Sequence, residues 1–332
     1  MTIFFRSLSD HFRPGSLYQN MDLTLPLPNQ AQHTLRALVT VARADGDLHS
    51  QEVRMIELFA EAMDLQVDVR RLESIAPETL APELRDTDAA RALIQRLVIL
   101  TTLDGEVTPD EVAAVETFAA ALGVEDRAVH NIRQISQGWV RMAAFDLGRR
   151  SFMPTLLGKV WREKGVRGLW SLVSSMAGGT NAAQAERFAA LAELPPGTLG
   201  RELFDHFTTN DFPYPGQAKG APDSFLFHDL GHVLGEYGTT PDQELLVAGF
   251  QAGYMDGDGL VMYLMIAMLF QLAVEPLANA RGVEAQKGML DIEAFLAAVE
   301  RGRGLAVDLT QWDPWPHMER PLVEIRAELQ LV

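Results

Sequence analysis

Through much of the chain, apolar residues recur at three- and four-residue intervals, the period of a helix that buries one face. From Gln30 onward, Leu35, Leu38, Val39, Val41 and Ala42 form the first such stripe, which stops abruptly at Asp45-Gly46. Helical stretches are also predicted at 182–194, 201–208, 292–300 and 320–331. The run 260–273 (LVMYLMIAMLFQLA) is apolar nearly all round, so the helix it predicts must be enclosed or must line an apolar channel. At fourteen residues it is too short to span a bilayer. Met262, Met265 and Leu269 on it are the candidates to line a lipid channel, although ordinary core packing accounts for the same residues. The fold class is therefore all-α, in two helical domains.

The first domain carries an internal repeat. ADGDLHSQEVRMIELFAEAM at 44–63 is echoed by LDGEVTPDEVAAVETFAAAL at 103–122, 59 residues later. Each copy has an Asp-Gly turn and a Glu six residues after the Gly, and Thr108-Pro109-Asp110-Glu111 reads as a capping box. The run also matches the back half of an EF-hand loop. Its front half is missing, because Val41, Arg43, Leu100 and Thr102 stand where carboxylates are required. The repeat resembles the TerB-like domain of tellurite-resistance proteins, a helical bundle with an acidic motif. Asp45, Glu52, Asp104 and Glu111 could together bind a second cation where the copies meet, while a helix-capping turn used twice explains the same residues.

Composition narrows the functional classes. A net charge of −17 argues against a nucleic-acid partner. With no cysteine, any metal must be held by His and carboxylate. The N-terminus lacks a signal-peptide core, so a cytoplasmic protein is expected. One stretch reverses the charge: Arg149, Arg150, Lys159, Arg162, Lys164 and Arg167 face only Glu163, interleaved with apolar Leu156, Leu157, Val160, Trp161, Val166, Leu169, Trp170, Leu172 and Val173. That basic amphipathic pattern suits the surface of an anionic membrane, and packing anchors are the alternative use of the two Trp. The expected organisation is an arm over 1–25, a helical domain over 26–145, the basic connector over 146–182 and a second helical domain over 183–332.

The chemistry is concentrated in HDLGHVLGEYGTTPDQE, residues 228–244. His228 and His232 are four apart and so share one helix face, with Asp229 on its flank. Gly235 and Gly238 break the helix, and Thr240-Pro241-Asp242-Gln243 predicts a new start with its own capping box. A returning second helix could bring Glu244 opposite the histidines. His228, Asp229, His232 and Glu244 are ligands suited to Zn²⁺ or Fe²⁺. Asp229 stands where a zinc protease has a longer glutamate, which disfavours protease chemistry. A phosphohydrolase of the His-Asp type would need further ligands from other helices.

The motif, His-Asp-x-x-His followed by eleven residues and Glu244, resembles the signature of the Coq-four family of ubiquinone (coenzyme Q) biosynthesis. PGTLGREL at 196–203 and the closing segment from Glu300, with Trp312, Arg320, Pro321 and Arg326, are similar to the family's flanking segments. The resemblance covers roughly the last half of the chain. It implies that His228, Asp229, His232 and Glu244 are the metal ligands of an all-helical protein lying at the inner membrane. It also implies a polyprenylated quinone precursor as ligand, removal of the ring carboxyl at C1, and association with other ubiquinone-biosynthesis enzymes or a second copy as a homodimer. Two other readings stay open: a scaffold that presents isoprenoid lipid around a structural metal, and a metal-dependent phosphohydrolase.

Overall fold

The computed structural model describes residues 25–85, 87–150, 178–255, 259–273 and 287–331, with parts of 157–174. The expected arm and its Phe4, Phe5, Leu8 and Phe12 lie outside these residues, as does much of the basic connector. Every named element among the described residues is helical, and the only β-type pairing there is an isolated bridge between Thr198 and Pro321. The all-α expectation is met.

Two compact units form, and their boundaries differ from the expected ones. The first unit joins Met1–Gly148 to Asp258–Leu296, and the second joins Arg149–Gly257 to Ala297–Val332. A single second domain over 183–332 is thus corrected: the chain leaves it for about 40 residues and returns.

The first unit contains α1 (Ala31–Ala42), α2 (Ser50–Ala62), α3 (Pro77–Leu84), α4 (Asp88–Leu100), α5 (Pro109–Leu122), α6 (Arg127–Ser136) and most of α7 (Val140–Arg150). Leu35, Leu38, Met55, Ile56, Leu97, Val115 and Phe118 are buried, as the helical stripes require. The repeated turns are built alike: Asp45 Oδ1 accepts from Asp47 N–H at 3.0 Å, and Asp104 Oδ1 accepts from Glu106 N–H at 2.9 Å. Glu52 and Glu111 then reach back to the amides of His49 and Thr108, at 2.7 and 3.2 Å, so each caps its own helix.

The apolar helix α12 (Gly259–Leu269) belongs to this first unit. The Tyr263 hydroxyl bonds the Thr102 hydroxyl at 2.6 Å. Gln271, fully buried just beyond the helix, donates to the carbonyls of Thr102 and Leu103 at 3.0 Å and accepts from Leu290 N–H at 2.9 Å. These bonds give the Leu103 carbonyl and the Leu290 amide their partners, and they fix which neighbour the apolar surface covers. Met262 is buried, with Met265 and Leu269 half-buried. The helix that carries these three lipid-channel candidates thus belongs to the unit without the metal motif.

In the second unit, α8 (Ala182–Ala189), α9 (Leu199–Thr209), α10 (Leu226–Gly235), α11 (Pro241–Tyr254), the end of α13 (Ile292–Arg303) and α14 (Leu322–Glu328) surround an aromatic core. Phe188 packs against Phe207, Tyr214 and Trp315, with ring centroids 6.1, 6.2 and 5.1 Å away. Gly253 on α11 and Gly302 on α13 let two backbones touch, since a Cβ on either would collide with main-chain atoms of the other helix.

Candidate metal centre

The motif helix α10 begins after a 3₁₀ turn at Asp223–Phe225 and ends where Glu236 turns left-handed, φ 60°. Its last carbonyls have no helical partners and are taken by two arginines instead. Arg326 donates to the carbonyls of Leu234 at 3.1 Å and Val233 at 2.7 Å, and pairs with Glu236 at 2.6 Å. Arg301 donates to Gly235 O. The predicted restart at Pro241 is present, but the capping box is not. Gln243 Oε1 instead accepts from Gly238 N–H at 3.4 Å, and the Thr240 hydroxyl engages Asp242.

The helical return works as the spacing required. Nε2 of His228 lies 3.3 Å from Glu244 Oε2, Nε2 of His232 lies 3.4 Å from Glu244 Oε1, and the two Nε2 atoms are 3.3 Å apart. All three donor atoms fall within 4.8 Å of one another, so this triad could hold a metal ion. His232 and Glu244 are largely enclosed, whereas His228 has a third of its side chain exposed. The set supplies three protein donors, one fewer than a closed tetrahedral zinc site uses.

Hydrogen bonds behind the rings suit ligation. His232 Nδ1 donates to Gly238 O at 2.9 Å, which places its free lone pair on Nε2 toward the triad. His228 Nδ1 lies 3.1 Å from the Gln251 amide, whose side chain also neighbours the buried Tyr254 hydroxyl. Turning the amide over lets Oε1 accept from His228 Nδ1–H and the NH₂ group serve Tyr254, and frees His228 Nε2 for a metal.

The charges agree with this arrangement. Burial alone would raise the Glu244 pKa, but hydrogen bonds and charge from His228 and His232 outweigh it and bring it down to about 2. Burial would lower that of His228, and Glu244 outweighs it in the opposite direction, raising it.

Asp229, the fourth expected ligand, is not among the three converging residues. Its Oδ1 lies 3.6 Å from Nε2 of His206, a residue of α9 that the motif spacing gave no reason to choose. Gln251 was likewise missed, since nothing local marks it as the partner of His228. The second-cation expectation is corrected. Among the described residues, no three of Asp45, Glu52, Asp104 and Glu111 bring their oxygens as close together as the triad's donors. Two of them are already used as helix caps. Burial, with repulsion from the other carboxylates, still pushes Glu52 up to about 8 and Glu111 up to about 7.

In the connector, Leu157, Trp161, Val166 and Trp170 are exposed, the last by 74%. No helix among the described residues is long and apolar enough to cross a membrane. The chain matches no known family model, no curated protein and no solved structure.

Proposed function

We propose that the second unit is a metal-dependent enzyme that removes the C1 carboxyl of a polyprenylated aromatic acid in ubiquinone biosynthesis, at the surface of a membrane. The observation that carries this reading is the triad: two imidazoles and one carboxylate whose donor atoms converge. Such a set suits Zn²⁺ with a free coordination position, or Fe²⁺ in a facial arrangement. Zinc is the first choice because nothing in simple loss of CO₂ requires a redox metal. Replacing the carboxyl by hydroxyl would instead need O₂ as oxidant, and iron would serve that reaction.

The three stretches similar to the Coq-four family are assembled in one place, which supports the resemblance. The backbone from 197 to 200 pairs with 318–322: Leu199 N–H donates to Arg320 O at 3.0 Å, Gly200 N–H to Met318 O at 2.9 Å and Leu322 N–H to Gly197 O at 2.8 Å. Arg326 of the same closing segment holds the end of the motif helix.

A bound ion would supply Lewis-acid polarisation of the substrate carboxylate and any adjacent ring oxygen. The chain's own part is to orient both imidazoles through Gly238 and Gln251, and to enclose Glu244 while leaving His228 accessible. The exposed Trp161 and Trp170, with Arg162 and Arg167 between them in sequence, would bring the unit to an anionic membrane where a prenylated acid resides.

The test is direct. Purified protein should contain about one equivalent of metal, which follows from a single site with three protein ligands. Lipid extracted from it should include an isoprenoid acid, and a prenylated aromatic acid labelled in the carboxyl carbon should release labelled CO₂. Hydrolysis of a water-soluble phosphoester, with no prenyl compound bound and no CO₂ released, would replace this reading by the phosphohydrolase. Bound prenyl lipid with metal present but no turnover would leave the scaffold.

A further inference from the structure

We infer that His206 withholds Asp229 from the metal and thereby keeps a coordination position open; this rests on the metal-dependent reading above. Asp229 is adjacent to His228 and only three residues before His232, close enough to ligate an ion held by them. Four protein ligands would close a tetrahedral site, as in structural zinc, whereas three leave room for substrate. The side chain of Asp229 therefore decides which kind of site this is.

The geometry assigns that carboxylate to His206. Asp229 Oδ1 lies 3.6 Å from His206 Nε2, and the two side chains are only 14% and 9% exposed. His206 Nε2 is buried and has no hydrogen-bond partner, so the approach of Asp229 is what it has been given. The imidazole is held from the other side as well: it lies against the His232 ring with centroids 5.1 Å apart and planes 27° apart, and against Phe207 and Phe212. Its helix is tied to the loop that follows the motif helix, because the Thr239 hydroxyl donates to Asn210 Oδ1 at 2.9 Å. His206 is thus a rigid polar neighbour on a different element from the ligands. Remove it, and a largely enclosed carboxylate loses a polar neighbour that draws it away from an ion held by His228 and His232. His206 is a positioning residue here: it acts on the metal through Asp229.

The full-length protein, stripped of metal and titrated with Co²⁺, reads this out through both affinity and the visible absorption that reports coordination number. In the otherwise unchanged protein, Asp229→Asn should leave Co²⁺ affinity within about threefold, well short of the 10- to 100-fold that loss of a tuned metal contact costs. His206→Phe should tighten Co²⁺ by about tenfold or more and shift the spectrum to one more protein ligand; adding Asp229→Asn should then cancel both changes. His206→Gln, whose amide can still hold the carboxylate, should behave as the unchanged protein. If His206→Phe does not fold, as judged by circular dichroism, His206→Ala tests the same release. Loss of about 100-fold in affinity on Asp229→Asn alone would show that Asp229 is already a ligand and overturn the inference. So would an unaltered spectrum in both folded His206 variants. The failure of the metal reading looks different: the unchanged protein and His232→Ala would then bind Co²⁺ equally poorly.

Discussion

A single proton at His228 sets the conditions under which the centre can be loaded. Glu244 raises the affinity of that imidazole for a proton, and the same lone pair would take a metal held by the triad. Metal affinity should therefore fall on acidification from pH 8 to 6, by roughly tenfold per unit once the ring is protonated. Competition with a zinc-binding dye at three pH values checks this, and an affinity indifferent to pH would contradict it. Without metal, the sign splits between the two partners. The contribution of Glu244 is present above its ordinary value and is lost as pH falls toward about 2, while that of His228 is lost as pH rises through its elevated value. His232→Ala should abolish most metal content, since it removes a buried ligand. Gln251→Leu should retain the fold and weaken metal binding by about 10- to 100-fold, because it leaves His228 Nδ1 without a partner. Equal metal content in protein and variant would refute either expectation.

At the scale of elements, the two Asp-Gly turns look alike in sequence but differ in what surrounds them. Gly46 has φ 95° and open space around it, whereas Gly105 has φ 89° and the backbone of Gly288 against it. Gly105→Ala should therefore destabilise the first unit by more than Gly46→Ala, which pays only the conformational strain of roughly 1–3 kcal/mol. Thermal melts of the two variants give the comparison. The glutamates that cap α2 and α5 lend the same unit a pH dependence. Folding holds protons on Glu52 and Glu111 that the unfolded chain releases near the usual carboxylate value, so stability should decline as pH rises from about 5 to 8. Glu52→Gln should flatten that decline. A melting temperature that rises over this range would show the sign to be wrong.

The whole molecule is cut in an unexpected place. The repeat at 44–122 is local and would suggest a self-sufficient domain over 26–145, yet its unit is completed by Asp258–Leu296. Tyr263 and Gln271 close the bonds at Thr102 and Leu103, and Arg54 pairs with Glu293 at 2.8 Å. A fragment of residues 26–145 should thus melt at lower temperature and less cooperatively than the intact protein, followed by circular dichroism. Gln271→Leu in the full chain should cost on the order of 2–3 kcal/mol, because it removes the partners of the Leu103 carbonyl and the Leu290 amide, while Thr102 O keeps Gly105 N–H. A fragment as stable as the intact unit would mean that the returning segment is dispensable.

What the sequence by itself determined is what depends on neighbours within a turn or two. The helical stripes, the Asp-Gly turns, the Thr108 cap and the facing of His228 with His232 all follow from local geometry, and Glu244 followed once a tight turn and a restart at Pro241 could be read between them. The tertiary structure alone decided the rest. Asp229 lies 3.6 Å from His206, a residue of another helix that no local spacing could pair with it. The 260–273 run was legible as enclosed, but apolar burial has no direction: an all-round hydrophobic helix fits any core that will take it. It was Tyr263 and Gln271, whose hydrogen bonds must be satisfied once buried, that chose the first unit over the second.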